Sequence, residues 1–471
     1  MLCDVRDRRH VMKFRLLALL FALAVTVPAQ QKPEWGLVTN QAGAFEGFTL
    51  FPSGETTYLI NMEGEVVHRW EHEDKAGNSV YLLEDGRLLR PMHVPDNEVF
   101  GAPPYGGGRL QIVNWEGDVE WDYRLSTARR YQHHDITPMP NGNVLALAWE
   151  YKSRAEAIAA GRDPELLDGG KLFPESLVEI KPTGPNSGEV VWEWSLWDHV
   201  VQEYDPEKAN YGIVADHPEL LDINRVLGKG SDWNHANGID YNPELDQIII
   251  NMRSMSEFMV IDHSTTTEEA RGHAGGKQGK GGDFLYRWGN SQAYERGGEE
   301  QRTLYVPHNP HWIRPGLSGA GEILVFNNGR DRPDGNWSSV DQLRPVMTPP
   351  GGYHSVIGKP YGPTDLTWTY AADPKEEFYS HFISGSQRLP NGNTLICSGA
   401  KSRFFEVTPT GDIVWEYRAA FNRPDAPESL GGLLPDGEPK PESDDPVMRG
   451  VGVFRATRYP PDYPGLSGKG L

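Results

Sequence analysis

The sequence predicts an all-β fold, a six-bladed β-propeller with loop and helix insertions and a histidine-lined site on its axis. Three observations lead to this prediction. The 471 residues include 52 glycines and 37 prolines, which favours many short strands joined by turns over long helices. Fourteen tryptophans and 19 tyrosines are available for packing. A turn followed by an alternating aromatic strand recurs six times.

The repeat unit is a short turn next to a strand that carries Trp or Tyr. Its copies lie at 58–70, 110–123, 187–194, 284–289, 366–370 and 404–417. Their spacing, mostly about 50 to 100 residues, fits propeller blades with insertions. We group 187–194 with the stretch 232–241, 284–289 with the strand at 322–326, and 366–370 with the strand at 390–396. We expect the rings to pack between blades, and the run 452–459 to complete the last blade beside the first, closing the ring.

Three segments are predicted to be insertions. The Ala/Glu-rich stretch 154–167 predicts a short helix, and 198–227 predicts another helix near 217–221. The glycine-rich stretch 266–283 predicts a mobile loop; its glycines lack the strand-to-helix context of a phosphate-binding loop. Separately, the acidic, proline-rich segment 424–446 predicts a surface loop.

The N-terminus predicts a signal peptide over residues 1–29, with Met12 as the better start. Lys13 and Arg15 precede the apolar run 16–27, and Val27-Pro28-Ala29 is a plausible cleavage site. The run is too short to span a bilayer comfortably. We therefore expect residues 30–471 to form a single propeller domain, periplasmic or secreted, without a stable membrane span.

Charge and cysteine content narrow the functional classes. The formal net charge of −21 disfavours a nucleic-acid partner, because an acidic surface repels phosphate backbones. Loss of Cys3 with the signal peptide leaves Cys397, which lies in an apolar run and is expected to be a buried structural thiol. Without a neighbouring cysteine pair, a quinone-cofactor dehydrogenase is disfavoured. We predict no cofactor.

Histidines carry the predicted chemistry. They precede or begin strands at corresponding places in successive repeats, so a propeller would aim them at its axis. These histidines are His134, His235, His308 and His381. Arginines follow the strands behind two of them: Arg253, Arg330 and Arg332. Guanidinium donors match the oxygens of a tetrahedral oxyanion in a forked geometry, so such a cluster would hold a small oxyanion.

The stretch Asp232–Pro243, which contains Asp-Trp-x-His-x-Asn and is followed by an Ile run and Arg253, resembles the bacterial arylsulfotransferases. These are the aryl-sulfate sulfotransferases that do not use the adenylated sulfate donor. The segments 308–329 and 390–417 look like the family's second histidine motif and its last complete blade. The resemblance covers most of residues 45–420. Pro307 and Asn327 depart from the family pattern and mark a diverged member.

The resemblance implies transfer of a sulfuryl group from an aryl sulfate to a phenolic acceptor through a covalent sulfohistidine. His381 is the implied nucleophile. His235 and His308 would contact the sulfuryl oxygens, and Arg330 or Arg332 would stabilise the oxyanion. The remaining residues predicted to bind substrate are His134, Asn237 and Arg253. No metal is predicted in this reading.

Two alternatives stay open at the level of sequence. The axial histidines could ligate one cation, as converging imidazoles do for zinc, copper or iron, which would make the protein a metal-binding propeller enzyme. They could instead only pack or form hydrogen bonds in a non-catalytic exported binding propeller. Bound metal found by elemental analysis would support the first alternative. Ligand binding without turnover would support the second.

Overall fold

Six antiparallel sheets make up the protein in the computed structural model, and together they form a six-bladed β-propeller. The structure describes residue 1 and residues 35–101, 103, 105–225, 230–419 and 452–471. The signal-peptide prediction, from residue 2 to residue 29, and the surface-loop prediction at 424–446 lie outside the described residues. Inner strands of neighbouring blades contact one another along the axis.

The blades are numbered along the chain, and their strands are given from the axis outward. Blade 1 contains Thr457–Tyr459, Phe48–Ser53, Thr56–Ile60 and Val66–Glu71. Blade 2 contains Tyr81–Leu82, Leu88–His93, Gly108–Val113 and Val119–Arg124. Blade 3 contains Arg130–Pro138, Val144–Glu150, Glu175–Gly184 and Ser187–Ser195. Blade 4 contains Ala236–Asn242, Gln247–Met252, Glu257–Asp262 and Tyr286–Trp288. Blade 5 contains His308–Trp312, Ile323–Asn327, Ser339–Leu343 and Trp368–Tyr370. Blade 6 contains Gly385–Arg388, Thr394–Ser398, Arg403–Val407, Ile413–Arg418 and Gly36–Asn40.

Both ends of the described chain close the ring. The C-terminal strand Thr457–Tyr459 pairs with Phe48–Ser53, so it completes the first blade from the inside rather than the last blade, as the sequence had suggested. The N-terminal strand Gly36–Asn40 instead extends the last blade. The buried Arg458 guanidinium links these two blades, because it donates to Glu406 at 2.6 Å and to Thr49 Oγ1 at 3.1 Å.

Three of the sequence groupings were wrong by one blade. The strand Ser187–Ser195 is the outer strand of blade 3, whereas Ala236–Asn242 belongs to blade 4. The aromatic strand Tyr286–Trp288 is the outer strand of blade 4, whereas Ile323–Asn327 belongs to blade 5. Likewise, Trp368–Tyr370 ends blade 5 and Thr394–Ser398 lies in blade 6. The outer strand of one blade is followed in sequence by the inner strands of the next. The connection between them carries no signal that the chain has changed sheet.

A tryptophan on the fourth strand from the axis of each blade donates its indole N–H to a backbone carbonyl of the following blade. The six bonds are Trp70 to Asn114, Trp121 to Ser187, Trp194 to Gly282, Trp288 to Pro363, Trp368 to Pro409 and Trp415 to Met62, at 2.8–3.0 Å. The last bond runs from blade 6 back to blade 1. This confirms the expected packing of aromatic rings between blades and adds a polar contact to it.

The insertions differ in part from expectation. The predicted first helix is Arg154–Ala159, whose N-terminus Ser153 and Glu156 cap reciprocally. The predicted helix near 217–221 was wrong. That region contains a 3-10 turn at Val214–Asp216 and the strand Leu221–Asp222. Pro218 disfavours the helical conformation for the residue before it, which ends the turn. The glycine-rich segment begins with the short helix Thr267–Ala270.

Short strand pairs occupy the insertions outside the blades. They are Lys152–Ser153 with Lys171–Leu172, Val200–Val201 with Leu221–Asp222, and Met347–Thr348 with Gly352–Tyr353. Cys397 is buried in blade 6, and burial raises the pKa of its thiol, as expected for a structural residue. In the described part of the chain, no helix is both long enough and apolar enough to cross a membrane.

The indole bonds predict graded losses of stability. Trp194 is 1% exposed, so Trp194→Phe would leave the Gly282 carbonyl without its buried donor. We expect a loss of about 1–3 kcal/mol in the free energy of unfolding. Trp368→Phe is the matched control, because Trp368 is partly exposed and water can replace its bond. Urea unfolding measures both; equal losses in the two variants would contradict the prediction.

His263 predicts a pH dependence of stability. It joins blades 3 and 4 through Glu179 Oε2 at 3.0 Å and Asp246 Oδ1 at 2.8 Å. Burial alone lowers its pKa, but the two carboxylates outweigh burial and raise the pKa to about 9. The folded protein therefore holds this proton more tightly than the unfolded chain does. The stabilisation is complete below the ordinary pKa of 6.5 and is lost as pH rises through about 9.

We expect the melting temperature of His263→Gln to lie furthest below that of the unsubstituted protein near about pH 6, and the gap to narrow by about pH 10. Thermal unfolding across this range measures the gap. The exposed His354→Gln is the control, for which no such narrowing is expected. A gap for His263→Gln that stays constant with pH would contradict the assignment.

Candidate active site

The inner strands of blades 3, 4 and 5 are irregular where the histidines lie. The register of each inner strand with the second strand of its blade shifts at residues 132–136, 236–238 and 308–311, respectively. His134, His235 and Asn309 have positive φ angles of 51°, 47° and 51°, and Ile383 before the inner strand of blade 6 has 45°. Left-handed backbone is costly for these residues, above all for a β-branched one. Bulges of this kind re-aim side chains, here towards the axis.

His134 and His235 meet edge to face, with their ring centroids 4.7 Å apart. Tyr105, from the loop between two strands of blade 2, contacts both rings at 4.6 and 4.9 Å. Three blades thus contribute one side chain each to a single aromatic cluster. The positive-φ turns at the two histidines are what allow consecutive blades to present their rings to each other.

Asp232 sets the orientation of His235. Its Oδ2 lies 2.5 Å from His235 Nδ1 and accepts from the Tyr105 hydroxyl at 3.2 Å. Burial alone would raise the pKa of Asp232, but His235 holds that pKa below its ordinary value. An ionised carboxylate can only accept, so His235 carries its proton on Nδ1. In the neutral ring, the lone pair is therefore on Nε2.

A buried chain of three titratable groups ends at His134. Glu175 Oε2 lies 2.9 Å from His133 Nε2, and His133 Nδ1 lies 2.8 Å from His134 Nδ1. Burial lowers the pKa of His133 to about 3 and depresses that of His134, so both rings are neutral. Burial also raises the pKa of Glu175. When Glu175 is ionised, His133 donates from Nε2, His134 donates from Nδ1, and His134 Nε2 has a free lone pair. When Glu175 is protonated, both rings are in the opposite tautomer and His134 Nε2 carries a proton. The chain can therefore pass a proton to or from His134 Nε2.

His308 is held in a single tautomer by Asn328. The Asn328 amide nitrogen donates to the carbonyls of Ser380 and Ile383 at 2.6 and 2.9 Å. Its oxygen must therefore accept, and His308 Nδ1 donates to it at 2.6 Å. Burial and the positive charge of Arg253 lower the pKa of His308, leaving a neutral ring with its lone pair on Nε2. The same amide fixes the loop that carries His381.

Two arginines, Arg253 and Arg330, lie near this cluster. Burial and the charge of Arg330 lower the pKa of Arg253. No carboxylate pairs with the Arg253 guanidinium among the described residues, and the charge of Arg253 depresses the pKa values of His134 and His308. Arg330 is half exposed and pairs only at 3.4 Å with the exposed Asp331. Two guanidiniums and several imidazoles are the donor set that a small oxyanion requires.

Three other predicted residues lie at the edge of this arrangement or behind it. Asn237 donates to the Pro307 carbonyl at 3.2 Å and accepts from Asn251, so its amide joins blades 4 and 5. Arg332 donates to the Trp337 carbonyl and to Ser339 Oγ, and stacks 3.7 Å over the Trp337 ring. His381 is half-buried, and the centroid of its ring lies 4.6 Å from that of the Phe382 ring.

The far ends of the same inner strands line a separate cavity of about 240 Å³. Asp135 and Arg455 lie between this cavity and the histidines, joined by a buried ion pair of 2.9 Å. The axial histidines do not form a compact ligand set. Within the described ranges, three ligand atoms come within 4.8 Å of one another only at His199, His273 and Asp283. The geometry therefore gives no support to an axial metal centre.

Sequence reasoning missed two residues of the cluster. Glu175 had a usable signal, since it is an acidic residue at the start of a largely buried strand, where an unpaired carboxylate is costly. Tyr105 had none, because it lies in an irregular loop of another blade. Asp232 was noticed only as part of the motif around His235, and its spacing of three residues is what lets its carboxylate reach the ring.

Comparison with known proteins gives one family and several distant folds. The family model "Arylsulfotransferase (ASST)" matches residues 37–420. A search of curated proteins finds no match. Among solved structures, a protein of unknown function from Bacteroides caccae is 13% identical, with a TM-score of 0.42 over 79% of this chain and 93% of that one. The periplasmic gluconolactonase of Pseudomonas aeruginosa is 11% identical, with a TM-score of 0.37 over 79% and 96%. The Dos1 propeller is 9% identical, with a TM-score of 0.34 over 83% and 75%.

The unpaired arginine predicts an anion site. We expect sulfate to bind the protein and Arg253→Met to weaken that binding at least about tenfold, because a charge-assisted, forked contact is lost. Isothermal titration calorimetry at low ionic strength measures the affinity. Arg69→Met is the control, since Arg69 is exposed on blade 1 and pairs with Glu71. Unchanged sulfate affinity in Arg253→Met would exclude this guanidinium as the anion ligand.

Proposed function

We propose, since the chain belongs to the arylsulfotransferase family, that it transfers a sulfuryl group from an aryl sulfate to a phenol through a covalent sulfohistidine. The observation that carries the proposal is the pair Arg253 and Arg330. Burial and the charge of Arg330 lower the pKa of Arg253, the charge of Asp232 offsets this only in part, and no carboxylate forms an ion pair with Arg253 among the described residues. A bound sulfate ester would supply the missing negative charge.

In the first half-reaction, we assign the nucleophile to His381. An imidazole nitrogen of His381 forms a bond to sulfur while the bond between sulfur and the aryl oxygen breaks. The electron pair leaves with the aryl oxygen, which takes a proton and departs as the phenol. The position of His381 supports this role, because Asn328 fixes the adjoining Ser380 carbonyl and also holds His308.

In the second half-reaction, the oxygen of the acceptor phenol attacks sulfur and the bond between sulfur and nitrogen breaks. The acceptor's proton must be removed as its oxygen attacks. We assign this base to His134, whose Nε2 ends the buried chain through His133 to Glu175. The same chain can return the proton to the leaving aryl oxygen in the first half-reaction. The overall exchange turns one aryl sulfate and one phenol into another such pair.

His235 and His308 are assigned to the sulfuryl oxygens. Both rings are fixed through Nδ1, by Asp232 and Asn328 respectively, which directs Nε2 away from those partners. A protonated Nε2 on either ring would donate to an oxygen of the ester. The sulfuryl charge in the transition state is balanced by Arg253 and Arg330.

Arg330 suits the oxyanion role better than Arg332. The guanidinium of Arg332 already donates to Trp337 and Ser339 and stacks on an indole. Arg330 is half exposed, with only a weak exposed partner. Asn237 acts through the Pro307 backbone rather than on the substrate, which positions the residue before His308.

We further propose that the protein works outside the cytoplasm, either in the periplasm or after secretion. The support is the N-terminal sequence alone, in which Lys13 and Arg15 precede an apolar run and a small-residue cleavage site. Detection of a mature form that begins near Gln30, by N-terminal sequencing of protein from the culture fractions, tests it.

The covalent step is tested by the intact mass of the protein after mixing with 4-nitrophenyl sulfate. We expect the added mass of one sulfuryl group, a burst of nitrophenol and release of both when a phenol acceptor is supplied. His381→Ala should lose the adduct and at least about a thousandfold of the transfer rate. The exposed His354→Ala should behave like the unsubstituted protein.

Other outcomes separate the parts of the proposal. An adduct that persists in His381→Ala and disappears in His308→Ala keeps the mechanism and moves the nucleophile to His308. Sulfate binding without adduct or nitrophenol, unchanged in both variants, would overturn the transferase proposal in favour of a binding propeller.

A further inference from the structure

A second histidine cluster lies outside the axial site, between the edge of blade 3 and the glycine-rich insertion of blade 4. His199 follows the outer strand of blade 3, and His273 and Asp283 belong to the insertion. The Nδ1 atoms of His199 and His273 each lie 2.8 Å from Asp283 Oδ1. The His199 and Asp283 side chains are 0% and 7% exposed, whereas His273 is 62% exposed.

The tautomer of His199 is fixed by its other nitrogen. His199 Nε2 lies 2.8 Å from the Ala270 carbonyl, which can only accept, so the proton of a neutral ring is on Nε2. The Nδ1 lone pair then faces a carboxylate oxygen. Two acceptors at this separation repel each other unless a positive charge joins them. That charge is either a second proton on the buried ring or a cation.

We propose that His199, His273 and Asp283 bind a divalent transition-metal ion, of which Zn²⁺ is the type. Two imidazole nitrogens and one carboxylate oxygen are a ligand set that Zn²⁺ uses in proteins. Ligand atoms at about 2.0–2.2 Å from one ion are about 2.8–3.4 Å from each other at octahedral to tetrahedral angles. The separations of 2.8 Å from His199 Nδ1 and from His273 Nδ1 to Asp283 Oδ1 lie at the short end of that range.

The surroundings match a metal-bound histidine. The hydrogen bond from His199 Nε2 to a backbone carbonyl is the contact that orients most metal-ligating histidines. All three ligand atoms lie within 4.8 Å of one another. The exposed side of His273 leaves room for water to complete the coordination.

The bound ion would join the insertion to blade 3. The backbone at Gly282 already passes so close to blade 3 that an added Cβ would lie 2.5 Å from His199 Nε2 and 2.8 Å from the Trp194 ring. Trp194 also donates to the Gly282 carbonyl. A metal between His199 and the pair from the insertion would lock this contact. The proposal does not depend on the sulfuryl transfer proposed above.

The test is titration of the chelator-treated full chain with Zn²⁺ by isothermal titration calorimetry, with thermal unfolding in parallel. We expect His273→Ala to lose one binding site, or at least about tenfold of its affinity, together with the rise in melting temperature that Zn²⁺ produces. His273 is exposed, so this variant keeps the fold. His217→Ala is the matched control, because His217 is 44% exposed and has one carboxylate partner, Glu219.

Comparison of Zn²⁺ binding in two variants distinguishes this site from a Zn²⁺ site elsewhere in the protein. Zn²⁺ held by axial histidines would remain in His273→Ala and would disappear in His235→Ala. Equal Zn²⁺ affinity, stoichiometry and thermal shift in His273→Ala and the unsubstituted protein would overturn the proposal. So would absence of Zn²⁺ binding combined with an NMR signature of doubly protonated His199, which would identify the joining charge as a proton.

Discussion

The ring depends on six repeats of one polar contact. In each blade a tryptophan on the fourth strand from the axis donates its indole N–H to a backbone carbonyl near the last turn of the next blade. The bond from Trp415 of blade 6 to the Met62 carbonyl of blade 1 closes the ring. Hydrophobic packing between sheets has no direction, and sheets could slide along each other. A hydrogen bond with a fixed acceptor removes that freedom. The blades therefore keep a constant offset, and the inner-strand starts of successive blades stay at one level on the axis.

A single carboxylate then joins those inner strands at the axis itself. Asp135 accepts from Tyr81 of blade 2, from the Ile239 backbone of blade 4 and from Arg455 of the C-terminal segment. It is fully buried and follows His134 directly. Because a buried charge is tolerated only with good partners, the four segments are held in one arrangement. Asp135 follows His134 at one end of the strands, and its partner Arg455 lines the cavity at the other end, so the same ion pair fixes both.

The fold class could be predicted because it rests on repetition, and the same repetition brings His134 and His235 into contact. Turns, aromatic strands and axial histidines recur, and a repeat places equivalent residues at equivalent points. Boundaries between blades could not be predicted, since the connection from Trp288 to His308 is shorter than the insertion between Asp262 and Tyr286 within blade 4. Contacts such as Glu175 to His133 depend on sheet register, which a bulge changes by one or two residues. The His199 cluster joins segments far apart in sequence, and only folding brings them together.

The closure of blade 1 by Thr457–Tyr459 has a consequence for biosynthesis. Blades 2 to 5 can assemble as the ribosome moves along the message, but Phe48–Ser53 must wait for its inner partner until residues 457–459 have been synthesised. Arg455, which pairs with Asp135 beside His134, arrives in the same final segment. A nascent or truncated chain therefore cannot assemble its axial centre ahead of time. The order of synthesis itself delays the complete site until the segment that contains Arg455 and the strand Thr457–Tyr459 has been made.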